Sequence, residues 1–232
     1  MAGGIYFVSG IDTGIGKTIA TGLMARSLRR RGVDAITVKM VQTGNDGFSE
    51  DLDAHRAMCG GGRLPEDERG LTAPQIFKFP SSPLLAARLE GRTVDLARIE
   101  SAVAACAASR QVVLVESAGG LCVPLTDTEL SVDFAARMKW PLILVTCGRL
   151  GSINHTLLSL EAAKSRGMAV AGVVYNWHPG ADPKIDEDSF GTTCRALARM
   201  GFPPVAIRVP HVASGGPYPD IDFTPLLGNW RP

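Results

Sequence analysis

The sequence is poor in paired cysteines, in net charge and in long apolar runs, and each shortage removes a class of protein. Its five cysteines, Cys59, Cys106, Cys122, Cys147 and Cys194, are odd in number and scattered, with no C-x-x-C pair and no accompanying histidine cluster. They read as reduced, mostly buried small hydrophobes, so neither a disulfide scaffold nor a zinc site is expected. The net charge of +1 argues against a surface that coats nucleic acid. Arg29, Arg30 and Arg31 read as a solvated helix end favoured by the C-terminal dipole. No apolar stretch approaches the ~18 residues needed to span a bilayer, and the N-terminus lacks a basic-then-apolar secretory pattern. A cytoplasmic protein with no membrane partner is the expectation. Internal repeats, low-complexity tracts and obvious linkers are also missing. With 232 residues, 45% of them hydrophobic and 20% charged, residues 1–232 are expected to form one domain around one large core.

What is present begins at the N-terminus. Gly10 to Thr18 read Gly-Ile-Asp-Thr-Gly-Ile-Gly-Lys-Thr, directly after the apolar run Ile5-Tyr6-Phe7-Val8 and directly before a stretch with helical character. Strand, glycine-rich turn and helix start in that order make a phosphate-binding loop. Small residues let the N–H groups of Asp12, Thr13, Gly14, Ile15 and Gly16 wrap a polyphosphate, and the helix start adds its positive dipole end. Lys17 is placed to meet the outer phosphates and the Thr18 hydroxyl to ligate Mg²⁺. Five residues rather than four separate Gly10 from Gly16, and Ile11 occupies the usual first glycine position.

Beyond the loop, apolar runs alternate with helix-length segments, the pattern of parallel βαβ units. Strands are predicted over Ile5 to Ser9, Ala35 to Val41, Val112 to Glu116, Leu142 to Thr146, Val170 to Tyr175 and Val205 to Val209. Their near-continuous Val, Ile and Leu content suits strands covered on both faces. Helices are predicted near Lys17 to Arg31, Ser82 to Glu90, Asp95 to Ser109, Ser131 to Met138, Ile153 to Arg166 and Ile185 to Met200. Gly60 to Gly62 and Ser214 to Pro219 read as loops. The fold class is therefore α/β, a doubly wound, mostly parallel sheet of the P-loop nucleoside triphosphatase type.

In such a sheet, ligands bind beyond the carboxyl ends of the strands. The second strand ends in Lys39-Met40-Val41-Gln42-Thr43-Gly44, which brings a cation and polar side chains near the loop if strands one and two lie close together. A lysine closing an apolar strand is otherwise a snorkelling surface residue. Glu116, followed by Ser117-Ala118-Gly119-Gly120, stands where a P-loop protein keeps an acid for Mg²⁺. Asn176 follows another apolar strand, where its amide could read a base with donor and acceptor or simply begin a turn. Asp51 and Asp53 open a further helix, a place the helix dipole favours for acids in any case.

Taken together, these segments resemble the dethiobiotin synthetase family. The resemblance rests on Gly10 to Thr18 with its loop spacing, Lys39 with Gln42-Thr43-Gly44, Ser81-Ser82-Pro83, Glu116 to Gly120, Leu150-Gly151-Ser152-Ile153-Asn154-His155 and Asn176. It runs from the first strand to about residue 180, and no motif is evident after that point. Gly14, Met40, Leu84 and Ser117 depart from residues common in the family, without removing a group assigned to chemistry. The resemblance implies that 7,8-diaminononanoate captures CO₂ as a carbamate, that ATP phosphorylates it, and that the second amine closes the ring to dethiobiotin. Lys17 and Lys39 would then supply the positive field, and Thr13 and Thr43 would hydrogen-bond the diamine or carbamate. Thr18, Asp51 and Glu116 would hold Mg²⁺, with Asp53 as the reserve choice. Glu116 and Asn176 would also border the nucleotide. Gly151, Ser152, Ile153 and Asn154 would bind the far substrate carboxylate from the partner subunit of a homodimer with a shared site.

Two other classes lack their marks. A partitioning or membrane-site ATPase carries an additional lysine early in the loop, where this sequence has Ile11 and Asp12, and the membrane-binding kind ends in a basic amphipathic helix. Pro225 to Pro232 is not such a segment. An amidating synthetase needs a glutaminase domain, for which the chain is too short, and no Asn-Lys-x-Asp guanine motif is present.

Overall fold

The computed structural model describes residues 4–177, 180, 182–213 and 215–228. Ser214 of the predicted loop and residues 229–232 of the C-terminal segment lie outside the described residues. The elements run β1 (Gly4–Gly10), α1 (Lys17–Arg30), β2 (Ala35–Lys39), β3 (Gln42–Thr43), α2 (Glu50–Met58), α3 (Pro65–Glu68), β4 (Ile76–Phe77) and α4 (Pro83–Leu89). They continue with α5 (Leu96–Ser109), β5 (Val112–Gly120), α6 (Ser131–Arg137), β6 (Leu142–Cys147), α7 (Ser152–Ser165), β7 (Val170–Asn176), α8 (Pro183–Met200) and β8 (Ala206–Val209).

The six predicted strands form one parallel sheet in the order β2-β5-β1-β6-β7-β8. Every residue of β2 and β6 is buried, as their largely apolar sequences require of strands with helices on both faces; Thr37, Lys39 and Thr146 are the polar residues buried with them. The order grows outward from β1 in both directions. That switch point opens a crevice at the carboxyl end of β1, which is where the phosphate loop emerges. Strands β1 and β2 are not neighbours, because β5 lies between them. The insertion places Lys39 directly opposite Glu116 in register.

Burial of the cysteines is less uniform than the sequence suggests. Cys106 and Cys147 are buried, Cys59 and Cys194 are half-buried, and Cys122 is exposed; all five are free thiols.

Two local features fix the helices that carry the site. Ser49 caps α2, its Oγ accepting from the N–H of Leu52 at 3.2 Å, so Glu50, Asp51 and Asp53 fall in the first turn. Helix α1 in turn approaches α2 closely at Gly22, where a Cβ would lie 2.5 Å from Met58 Sδ and 3.3 Å from His55 Cδ2. Mid-helix glycine costs about 1 kcal/mol of propensity, and here the close approach outweighs it. Gly22→Val should therefore lower unfolding stability by about 1–3 kcal/mol through overpacking against buried Met58, as read by urea denaturation. Unchanged stability would mean that α2 does not depend on this contact.

Residues beyond 180 close the far side of the core. Tyr6 Oη donates to the carbonyl of Leu227 at 3.0 Å, and Phe223, Leu226 and Leu227 are buried. This packing lies at the end of the sheet away from the phosphate loop. Among the described residues no helix is long and apolar enough to cross a membrane.

Candidate active site

The phosphate loop is shaped by backbone that only glycine accepts easily. Gly14 and Gly16 have φ of 71° and 86°, and a Cβ on Gly16 would lie 2.6 Å from Asn176 Nδ2. That nitrogen donates to the carbonyls of Ile15 at 2.7 Å and Gly16 at 3.2 Å. The expectation that Asn176 offers a base both a donor and an acceptor is corrected here, since the donor side is committed to the loop. Its buried Oδ1 has no hydrogen-bond partner among the described residues. It borders a cavity of about 260 Å³ with Gly14, Ile15, Trp177, Pro210, His211 and Val212.

Asp12 secures the other side of the loop. One oxygen accepts from the Thr13 N–H at 2.7 Å, and the second pairs with Arg149, so the carboxyl sits below its usual range. Lys17, the first residue of α1, donates to the Asp12 carbonyl at 2.8 Å. Burial lowers its ammonium to about 8, against the opposing pull of Glu116.

Charges of both signs converge beside the loop. Thr18 Oγ1 donates to Asp51 Oδ1 at 2.7 Å and lies 3.3 Å from Glu116 Oε1. Lys39 Nζ bridges the two acids, 2.5 Å from Asp51 Oδ2 and 2.9 Å from Glu116 Oε1. Burial alone would lower the Lys39 ammonium, but Glu116 and Asp51 outweigh it and hold it above its ordinary value. Burial likewise opposes ionisation of Glu116, and Lys39 together with His55 overcomes it, so the carboxyl is held well below its usual range.

These groups face one cavity of about 400 Å³, lined by Thr13, Lys17, Thr18, Lys39, Thr43, Asp51 and Glu116 among others. It continues into a second space bordered by Thr13, Thr43, Pro80, Ser81, Ser82 and Gly119. Asp53 is exposed and lines a different cavity with Phe48 and Arg63 on the other side of α2. Among the described residues no three His, Cys, Asp or Glu side chains converge into a metal cluster. Two carboxylates and a hydroxyl make an all-oxygen set that fits Mg²⁺, an ion that keeps water and phosphate oxygens as its remaining ligands.

Gly151 to Asn154 do not line the loop cavity of their own chain. Gly151 begins α7 in a left-handed conformation and supplies no side-chain cap. The N–H of Ser152 is already used, donating to the Arg149 carbonyl at 3.1 Å, and its side chain is buried. Among the described residues the N–H groups of Gly151, Ile153 and Asn154 have no such partner, and these are the donors left to a ligand. Sequence reasoning missed His55 and Arg149; the first had a signal, since His55 follows Asp51 by four residues on one helix face.

A phosphate loop at the switch point of a parallel sheet, faced by a second lysine and two acids, defines a P-loop nucleotide-dependent enzyme. Comparison with known proteins agrees. A family model described as AAA domain matches residues 5–217. The fold is similar to that of a ParA family ATPase from Chlorobium tepidum, with a TM-score of 0.50 at 16% identity over 90% of this chain and 85% of that one. Among curated proteins, the chain is 46% identical to the ATP-dependent dethiobiotin synthetase BioD 2 of Pasteurella multocida, covering 80% of this chain and 87% of that protein. It is 45% identical to the ATP-dependent dethiobiotin synthetase BioD of Chlorobaculum tepidum, covering 87% of this chain and 84% of the relative. The chain belongs to the ATP-dependent dethiobiotin synthetase family.

Proposed function

We propose a division of labour among these residues for the reaction of this family, with the described sheet and helices acting as one catalytic domain. The enzyme is an ATP-dependent cyclo-ligase that converts 7,8-diaminononanoate and CO₂ into dethiobiotin. One amine adds to CO₂ and loses a proton, giving a carbamate. A carbamate oxygen attacks the γ-phosphorus of ATP and ADP leaves. The second amine attacks the carbonyl carbon, the C–O bond to phosphate breaks, and the ring closes with loss of a proton.

Each stage brings an anion toward other anions, so catalysis here is positioning and electrostatic stabilisation. Lys17 holds the outer phosphates from the loop side. Lys39 faces the same cavity from the end of β2, where it offsets the charge of the carbamate and of the transferred phosphoryl group. The single observation that carries this assignment is the pair of buried lysines, one opening α1 and one closing β2, that face one space. Thr13 and Thr43, shared by both parts of the cavity, hydrogen-bond the diamine and then the carbamate. Asn176 offers Oδ1 to an exocyclic amino group, which adenine has at the edge where guanine carries a carbonyl.

Thr18, Asp51 and Glu116 would hold Mg²⁺, which when bound supplies charge compensation for the phosphates. Asp51→Asn should raise the Mg²⁺ concentration for half-maximal phosphate release more than Asp53→Asn does. The reverse order would transfer the role to Asp53. The far substrate carboxylate docks on the Gly151, Ile153 and Asn154 N–H groups of a partner subunit, so the working form is a homodimer, and its place is the cytoplasm.

A further inference from the structure

Glu116 uses its two oxygens differently. Oε1 faces Lys39 and Thr18, whereas Oε2 is buried with His55 Nε2 at 3.0 Å. The contact falls short of a linear hydrogen bond, yet neither atom has another polar partner among the described residues. His55 is itself fully buried, and its Nδ1 lies 3.1 Å from Thr37 Oγ1.

The far end of this chain sets its direction. Arg56 can only donate, and its Nη1 does so to Thr37 Oγ1 at 2.7 Å, while the guanidinium is clamped by both oxygens of Asp67 at 2.7 and 2.9 Å. Thr37 accepts from Arg56, and among the described residues its own hydroxyl proton has His55 Nδ1 as its acceptor. The His55 proton then belongs on Nε2, toward Glu116. Asp51 and His55, four residues apart on α2, reach the same cluster: the first touches Thr18 and Lys39, the second touches the far side of Glu116.

We propose that His55 is a positioning residue: it holds Oε2 so that Oε1 stays turned toward Lys39 and the metal position. This rests on the reading of Glu116 as an Mg²⁺ ligand. A carboxylate free to rotate would exchange its oxygens, and residues that orient metal ligands typically govern affinity. A histidine that merely fills the space against Gly22 would be replaceable by any side chain of similar volume.

The test measures Mn²⁺ binding to the full-length protein by electron paramagnetic resonance, with a non-hydrolysable ATP analogue present. Analogue affinity without metal and the unfolding midpoint are measured alongside. His55→Leu, which keeps volume and removes the N–H, should weaken Mn²⁺ binding about 10-fold or more while metal-free analogue binding holds. His55→Gln, which retains an N–H donor, should recover most of the affinity. Wild-type Mn²⁺ affinity in His55→Leu, with affinity lost in Glu116→Gln, would overturn the role of His55 and leave Glu116 as ligand. Unchanged affinity in Glu116→Gln would remove the metal reading and the proposal with it. If His55→Leu does not fold, Thr37→Val releases the ring from its orienting partner, and wild-type Mn²⁺ affinity in that variant overturns the proposal.

Discussion

Lys39→Ala is expected to lower turnover at least ~10²-fold, equivalent to about 2.7 kcal/mol of lost transition-state stabilisation. Its ammonium lies within 3 Å of both Asp51 and Glu116, so removal takes away a donor to the transferred group and leaves buried Glu116 and half-buried Asp51 facing each other. Repulsion between them adds to the loss. Lys17→Ala should cost a similar factor, with a larger effect on ATP affinity because its ammonium sits inside the phosphate loop. Steady-state rates of phosphate release with the diamine saturating separate the two variants. Near-wild-type turnover for Lys39→Ala would remove that residue from the site.

The second large effect is a recovery. Ile153→Pro deletes one of the free donors at the start of α7, in a first turn where proline leaves the rest of the helix standing. Diamine binding should weaken while ATP binding at Lys17 persists. If the site is shared across a two-fold interface, mixing this inactive variant with inactive Lys17→Ala gives mixed dimers with one wholly unmutated site. Random exchange makes half the dimers mixed, so activity should return to about a quarter of wild type. A demonstrably mixed dimer without recovered activity, or full activity in a wild-type monomer, would place the carboxylate elsewhere.

The sheet was legible because a strand covered on both faces is largely apolar, and β2, β5, β6 and β7 each carry a Val-, Ile- or Leu-rich run, with polar residues such as Lys39, Glu116 and Asn176 at or near their carboxyl ends. The loop was legible because its chemistry is local: Gly14, Gly16, Lys17 and Thr18 act within one turn. Strand order was not. Nothing local to Lys39 specifies that β5 enters between β1 and β2, although this insertion pairs Lys39 with Glu116. Pairs of two residues such as β3 and β4 are too short to carry a period. The direction of the Asn176 amide depends on carbonyls of the loop, far away in sequence, and so could not be read from its own neighbours. Pro210, His211 and Val212 reach the cavity beside Asn176 only because β8 carries them there, which is why the segment after residue 180 showed no motif.

The central claim is that one cavity couples ATP cleavage to closure of a cyclic urea. Its most direct test is to incubate the purified protein with ATP, Mg²⁺, ¹³C-labelled bicarbonate and 7,8-diaminononanoate, and to follow phosphate release and product mass together. The account predicts dethiobiotin carrying one labelled carbon, in step with phosphate, and neither product without the diamine. Phosphate released at an undiminished rate without the diamine, and no dethiobiotin when it is present, would contradict it.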